Sequence, residues 1–526
     1  MARFNARTTR PAPAHSPVRS TGRTLPTHQG GTGAERDARS ELYLLAVANF
    51  VSQQTFYESG DDRDDRFTTL VRKLAVEDPE WTAGLLGWLR RDAGMRTAAI
   101  VGAAEYVKAR LDAGATEGPS NRRVVDSVLL RADEPGEMLG YWTSVYGRTV
   151  PKPVKRGVAD AVARLYTAKS LLKYDTATKG FRFGDILNLV HATPDPAKPW
   201  QGALFQYALD RRHNPHTAEP PAADRTLTAH RALMELPVAE RRAVLEAPGG
   251  AARLAEAGMT WEALAGWLQG PMDAAAWEAV IPSMGPMALV RNLRNFDQAG
   301  VCDEVAAQVA ARISDPEAVA SSRQFPFRYL AAYQHAPSLR WSYPLEQALG
   351  HSLGNVPALP GRTLVLVDRS GSMWSRLSDR SELNRADAAA IFGTAVAMRA
   401  ADADLVEYGT THAPVPYAEG ESVLKVLGRF GNLGGTDTVG AVRAHYRGHD
   451  RVLIVTDEQA QFSHYGDPTE QVPAHIPVYT WNLAGYRAGH APSGAPGRHA
   501  FGGLTDAAFR MVSLLERGRN ADWPWE

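Results

Sequence analysis

The stretch Thr363-Leu-Val-Leu-Val-Asp-Arg-Ser-Gly-Ser372 decides how the last third of the chain is read. Its β-branched and aliphatic start is strand-forming. Asp368, Ser370 and Ser372 then follow as a run of hard oxygen donors. A second apolar run, Arg451-Val-Leu-Ile-Val455, leads in the same way into Thr456-Asp457, and Gly434-Gly-Thr436 lies between the two. Loops at the carboxyl ends of strands in an open α/β sheet converge on one crevice. Asp368, Ser370, Ser372, Thr436 and Asp457 are therefore expected to meet there. An oxygen-only donor set suits Mg²⁺, with Mn²⁺ or Ca²⁺ as alternatives, and does not suit zinc. The competing reading is local: Ser and Asp after a strand also serve as helix N-caps.

Around these segments, strands at Thr363–Asp368, Asp404–Tyr408, Arg451–Thr456 and Val478–Leu483 alternate with helices at Glu382–Ala400, Glu421–Arg429, Asp437–Tyr446 and Asp506–Leu515. Such alternation predicts a doubly wound, parallel-rich α/β domain over 361–526. From 35 to 360 the pattern is helical instead. Apolar residues recur at spacings of three and four in segments such as Arg96–Ala113, Val154–Leu172, Trp261–Leu268 and Pro286–Phe296, separated by short Pro, Gly or Asp breaks. Helix pairs at this spacing predict an α-solenoid of HEAT type, without a strict sequence repeat. The Pro-rich stretch from Pro194 to Pro221 reads as a long loop. Trp81, Trp88, Trp142, Trp261 and Trp267 read as core. Residues 1–34 hold Arg, Pro, Ser, Thr and Gly but no acidic residue, and are expected to be a disordered basic arm.

The totals exclude several classes. With 526 residues, the chain is long enough for two or three domains. No apolar run approaches the length of a membrane span, so no membrane association is expected. A single cysteine, Cys302, rules out an intramolecular disulfide and fits a reducing, cytoplasmic setting. Formal net charge is zero, with 58 basic and 58 acidic residues, so any basic surface must be local. One is present: of nine lysines in the chain, six fall between Lys152 and Lys198, opposed only by Asp160, Asp175, Asp185 and Asp195. Lys169 and Lys173, four apart, share a helix face, which suits phosphate contacts. Lys173-Tyr174 and Phe181-Arg182-Phe183 set aromatics beside cations, as base stacking requires. No Gly-x-Ser-x-Gly, Walker loop or His-Glu-x-x-His occurs, so no enzyme is expected. Glu458 is the only obvious base for a hydrolytic metal.

Two resemblances add to this reading. The Asp-x-Ser-x-Ser, Gly-Gly-Thr and Thr-Asp set resembles the metal-ion-dependent adhesion site of von Willebrand factor A domains. It implies that Asp368, Ser370, Ser372 and Thr436 hold the metal directly or through water, that Asp457 completes the set, and that one coordination position stays open for an acidic group of a protein partner. The helical part resembles the TROVE module of the Ro ribonucleoprotein family. Gly285-Pro-Met-Ala-Leu-Val-Arg-Asn-Leu-Arg294, Phe325-Pro-Phe-Arg-Tyr-Leu-Ala-Ala-Tyr-Gln334, Lys173-Tyr174 and Gly180-Phe-Arg-Phe-Gly-Asp-Ile-Leu-Asn-Leu-Val-His191 carry it, with Gly502-Gly-Leu-Thr-Asp-Ala-Ala-Phe509 in the last part.

This resemblance implies a monomeric ring of helical repeats closed by the A domain. Such a ring binds small structured noncoding (Y-like) RNA on its outside and single-stranded ends of misfolded RNAs in its hole, and works with an exoribonuclease in RNA processing or quality control. Lys173 and His191 fall on the family's RNA-contact positions; the spacing to Lys179 is one residue longer. The full set expected to contact RNA is Lys152, Lys155, Arg156, Lys169, Lys173, Lys179, Arg182 and His191. The alternative is a metal-dependent protein-interaction scaffold that binds no RNA.

Overall fold

The computed structural model describes residues 14–48, 51–322, 324, 326–336, 338–354, 356–378, 383–504 and 509–526. The chain divides into two compact units, one of Met1–Leu70, Phe325–Phe327 and Ser352–Glu526, the other of Val71–Gln324 with Arg328–His351.

The strands of the first unit are β1 (Ser20–Pro26), β2 (Thr32–Arg36), β3 (Leu359–Asp368), β4 (Ala400–Tyr408), β5 (His412–Pro414), β6 (Arg451–Thr456), β7 (Val478–Asn482), β8 (Ala488–Gly489) and β9 (Arg498–Gly502). The main sheet runs β5-β4-β3-β6-β7-β9, parallel except for the β4–β5 pair. Its central strands are near-continuous apolar runs, because helices cover both faces of such a sheet. Leu364, Leu366, Val406, Tyr408, Val452, Ile454 and Val478 form a buried cluster with Ala441 and Val442 of the helix Thr438–His445. The helix Arg385–Arg399 opens on a capping box between Asn384 and Asp387. It lies so close to the sheet that a Cβ at Gly393 would stand 2.3 Å from Val367, so only glycine fits there.

A second, antiparallel sheet has the order β1-β2-β8. It corrects the expectation of a disordered arm through residue 34: β1 and β2 form a hairpin, and β2 pairs with β8, more than 400 residues downstream. Backbone pairing with a distant strand orders this segment, without an apolar periodicity of its own. The expected domain boundary moves accordingly, since residues up to Leu70 fold with the α/β part. Residues 1–13, Glu382 of the expected helix Glu382–Ala400, and 506–508 of the expected helix Asp506–Leu515 lie outside the described residues.

In the second unit each helix packs chiefly on its near neighbours in sequence, as in a solenoid: Pro79–Arg91 on Arg96–Asp112, Asn121–Val128 on Lys152–Leu165, Phe183–Val190 on Gln201–His213. Two expectations are corrected. The reading of Val154–Leu172 as one helix fails because Tyr166 leaves helical geometry and Thr167 starts the helix Ala168–Tyr174 with a capping box. The expected loop from Pro194 to Pro221 holds the helix Gln201–His213, which buries Leu204, Phe205 and Ala208 between its prolines. Trp81, Trp88, Trp142 and Trp267 are core residues, and Trp261 is half-buried against Trp277. Among the described residues, no helix is long and apolar enough to cross a membrane.

One buried group of the first unit makes its stability depend on pH. His499 on β9 is 5% exposed, and burial, reinforced by Arg498 and His15, pushes its pKa down to about 4. The folded state thus holds His499 neutral where the unfolded chain would protonate it. Stability is intact above pH 6.5 and falls as pH drops from there toward 4, by about 3 kcal/mol in full. Denaturant melts across this range should show the loss in the wild type and a flatter profile in His499→Gln.

Candidate functional site

Parallel pairing of β3 with β6 aligns Val367 with Val455, so the residues that follow leave the sheet side by side. Asp368 and Asp457 are both fully buried, as are Ser370, Ser372 and Thr436. The three loops are stitched together: Leu433 N–H donates to Arg369 O at 3.0 Å, Gly371 N–H to Gly434 O at 2.5 Å, and Gln461 N–H to Thr436 O at 3.1 Å. Thr456 Oγ1 donates to Asp368 Oδ2 at 2.6 Å, and the Ser370 N–H to Asp368 Oδ1 at 2.9 Å. The Ser370 and Ser372 hydroxyl oxygens are 3.3 Å apart. The five residues expected to converge do converge.

Their electrostatics are incomplete. Burial raises the pKa of both Asp368 and Asp457, and for Asp457 the neighbouring Asp368 charge adds to it. The Thr436 hydroxyl and Asp457 Oδ2 are buried with no hydrogen-bond partner. Orphaned buried oxygens are costly, and two carboxylates in low dielectric repel. A hard divalent cation answers both demands. The residues therefore fit the ion that the motif implies, and Asp368, Ser370, Ser372, Thr436 and Asp457 would hold it. Among the described residues no group of three or more His, Cys, Asp or Glu side chains forms a metal site; here hydroxyls complete the set.

Glu458, the one obvious hydrolytic base, is committed elsewhere. It is buried at a φ of +63°, and its Oε1 and Oε2 both accept from Arg36 Nη2, at 2.6 and 2.8 Å, while Oε2 also accepts from Asn482 Nδ2. Sequence reading missed Arg36, because its partner lies 422 positions away. It equally missed buried Arg385, which donates to Leu483 O and Ser375 Oγ and bears electrostatically on Asp457.

The second candidate surface lies on the helical unit. Lys152, Lys155 and Arg156 sit on the helix Lys152–Leu165, Lys169 and Lys173 on the helix Ala168–Tyr174, Lys179 in the following loop, and Arg182 and His191 at the two caps of the helix Phe183–Val190. All four acidic residues of this window are already paired: Asp160 with Arg122, Asp175 with Arg182 and Arg211, Asp185 with Arg212, Asp195 with Lys198. Arg182 is thereby tied to a buried carboxylate, and Lys179 lies 3.6 Å from Asp133. Lys152, Lys155, Arg156, Lys169 and Lys173 have no acidic partner among the described residues, and all but half-buried Lys155 are exposed. Tyr174 is flanked by Lys173 and Arg131, 5.2 and 5.6 Å from its ring centre. Phe183 is not available for base stacking: it is buried against Tyr166, ring centres 3.7 Å apart.

With both sites placed, likeness to known proteins becomes informative. Residues 250–342 match the family model of the TROVE domain. The chain as a whole is similar in structure to the Ro (RSR) protein of Deinococcus radiodurans, with a TM-score of 0.59 and 21% sequence identity, over 92% of this chain and 100% of that one. No curated protein matches the chain. Residues 250–342 are thus similar to the TROVE domain, and the fold of the chain, with a helical-repeat part and an α/β part, is like that of the Ro protein.

The two buried carboxylates make opposite demands with and without a cation. In the metal-free protein, Asp457→Asn removes a buried like charge and should raise thermal stability. Added Mn²⁺ should stabilise the wild type, by about 2.7 kcal/mol at a hundredfold excess over Kd, and leave Asp457→Asn unmoved. Thermal melts of both proteins with and without Mn²⁺ check the crossing; parallel shifts would count against it.

Proposed function

We propose that the chain is a Ro-like RNA-binding protein. It binds small structured noncoding (Y-like) RNA and the single-stranded ends of misfolded RNAs, and scaffolds RNA processing or quality control in the cytoplasm. The observation that carries this reading is the charge pattern on Lys152–Leu165 and Ala168–Tyr174. Neighbouring basic residues neutralise every local carboxylate and leave five cations without an acidic partner among the described residues. Evenly solvated surfaces mix both signs, whereas an uncompensated face is the footprint of a polyanion. Likeness to a Ro fold and the TROVE match support the same reading.

The α/β part resembles a von Willebrand factor A domain, and we assign its crevice a divalent cation, Mg²⁺ in the first place. When bound, the ion supplies an electrophilic position for an acidic group of a protein partner, an exoribonuclease being the partner expected of this family. Asp368, Ser370, Ser372, Thr436 and Asp457 hold the ion; they do not activate water, since Glu458 is neutralised by Arg36. A second reading, a metal-dependent interaction scaffold without RNA, draws on the orphaned Thr436 and Asp457 oxygens but leaves the cationic helices without a role.

Native purification at low salt should co-elute one enriched small RNA, identified by sequencing. Lys169→Ala combined with Lys173→Ala should weaken binding of that RNA at every salt concentration. It should also reduce the slope of log K against log salt by about 1.4, two contacts at roughly 0.7 each. An RNA-free wild-type protein would transfer the function to the metal centre, whereas an unchanged slope would count against Lys169 and Lys173 as the contacts.

A further inference from the structure

Beside the cationic helices of the second unit lies a cavity of about 180 Å³, lined by the helix Glu134–Tyr146 and by the loop between the helices Ala168–Tyr174 and Phe183–Val190. Its lining joins three kinds of group. Tyr174 and Phe181, both half-buried, are aromatic; Gly136 and Gly140 bring no side chain; Glu137 and Lys179 are charged. Drug-sized ligands fill about 300–1,000 Å³, so this space takes one small flat ring system.

Gly136 and Gly140 lie one turn apart on one helix face, although glycine is a poor helix residue. Packing explains the first: a Cβ at Gly136 would stand 3.3 Å from Phe181 O and 3.4 Å from Ile186 Cδ1. It does not explain the second, since a Cβ at Gly140 would meet no atom within 4 Å. What that missing side chain leaves open is the space Gly140 borders, the cavity.

The charges around it are unequally engaged. Asp133, also in the wall, receives Arg131 in two-point contact, Nε to Oδ1 at 2.6 Å and Nη2 to Oδ2 at 2.7 Å. That guanidinium already answers its charge, so Lys179, 3.6 Å away, is a surplus cation with N–H groups to give. Glu137 has Arg96 at 3.6 Å, and burial raises its pKa, so its carboxylate gains from a donor brought to it. The cavity thus sets one strong acceptor and one strong donor beside two aromatic rings.

Among the bases, guanine matches this order. Its N1–H and N2 amino group are parallel donors that one carboxylate can accept, and its O6 and N7 accept from lysine. Adenine would turn its N1 lone pair toward the carboxylate, and uracil has a single N–H to offer. Unstacked bases of RNA are read in this way, on their edges and against aromatic side chains. We propose that the cavity is a guanine-binding site: an unstacked guanine of bound RNA packs against Tyr174 and Phe181, donates to Glu137 and accepts from Lys179. The proposal rests on the RNA reading above and deepens it, adding base recognition to phosphate contacts. Lys173, its ammonium 5.2 Å from the ring centre of Tyr174, is placed to take the phosphate of the same strand.

Fluorescence anisotropy of the full chain compares a uridine nonamer with the same nonamer carrying one central guanosine. The guanosine should tighten binding about tenfold, the scale of a hydrogen bond to a charged group. Inosine in its place, without the N2 amino group, should lose most of that gain. Glu137→Gln, and Gly140→Leu, which fills the cavity, should each bring the affinities for the two nonamers together, with thermal melts to show that both variants fold. Equal affinity of the wild type for the two nonamers would overturn the guanine site and leave the RNA reading standing. A preference that survives in both folded variants would overturn it equally. Failure of the wild type to bind either nonamer would remove the RNA reading, and the proposal with it.

Discussion

Three carboxylates buried in one crevice set the terms for the α/β unit. Asp368, Asp457 and Glu458 are each 1% exposed or less, and each charge must be answered where water cannot reach it. Glu458 is answered by Arg36, itself buried, so the hairpin that carries Arg36 cannot be a loose appendage. Asp368 is answered in part by the Thr456 hydroxyl and the Ser370 amide. Asp457 keeps one oxygen with no partner. The unequal treatment of neighbouring acids separates an ion-paired carboxylate, Glu458, from one whose unanswered oxygen fits the proposed cation, Asp457, on consecutive residues.

The helical unit distributes charge by the opposite logic. There arginines do the neutralising: Arg122, Arg182, Arg211 and Arg212 take up Asp160, Asp175 and Asp185. The planar guanidinium matches a carboxylate in two-point contact, as Arg122 does with both oxygens of Asp160. Lys152, Lys155, Lys169 and Lys173 remain, with Arg156, as cations without an acidic partner among the described residues, and the lysines are point charges on flexible stems, suited to a phosphate backbone whose exact path varies. The cluster marks a surface because Arg122, Arg182, Arg211 and Arg212 around it already hold most of the local carboxylates.

Much of this was legible in the residues. The strand Arg451–Thr456 and the helix Trp261–Leu268 occupy the predicted positions, since each is bounded by unambiguous signals: a buried apolar run ending in Thr-Asp, and a threonine N-cap before an apolar turn. The convergence of the five proposed metal-binding residues was legible for Asp368, Ser370, Ser372 and Asp457 because the ends of neighbouring parallel strands meet, and Thr436 joins them through the loop hydrogen bonds of Gly434 and Gln461. What failed did so for identifiable reasons. β1 and β2 owe their order to β8, a partner that local sequence cannot reveal. Thr167 breaks a helix through a capping box with Ser170, a pairing without the Glu or Gln usual at that position. His28 and Arg36 reach the loop after Asp457 only through contacts spanning more than 400 positions.

The discontinuity of the α/β unit has a consequence for how the protein is made. Its hairpin is synthesised early, but β8, Glu458 and the loop from Gln459 to Gln461 arrive after most of the helical unit has been translated. Closing contacts across such separations is slow, because loop entropy must be overcome before the contacts form. The helical unit, whose contacts are mostly between neighbours, can fold as it emerges. Until the closing segment arrives, the Arg36 guanidinium and the open edge of β2 lack their partners, so the nascent chain carries an unpaired strand edge for most of its synthesis. The polar composition of β1 and β2, which hid them from a search for apolar strands, also makes that waiting edge a poor template for aggregation.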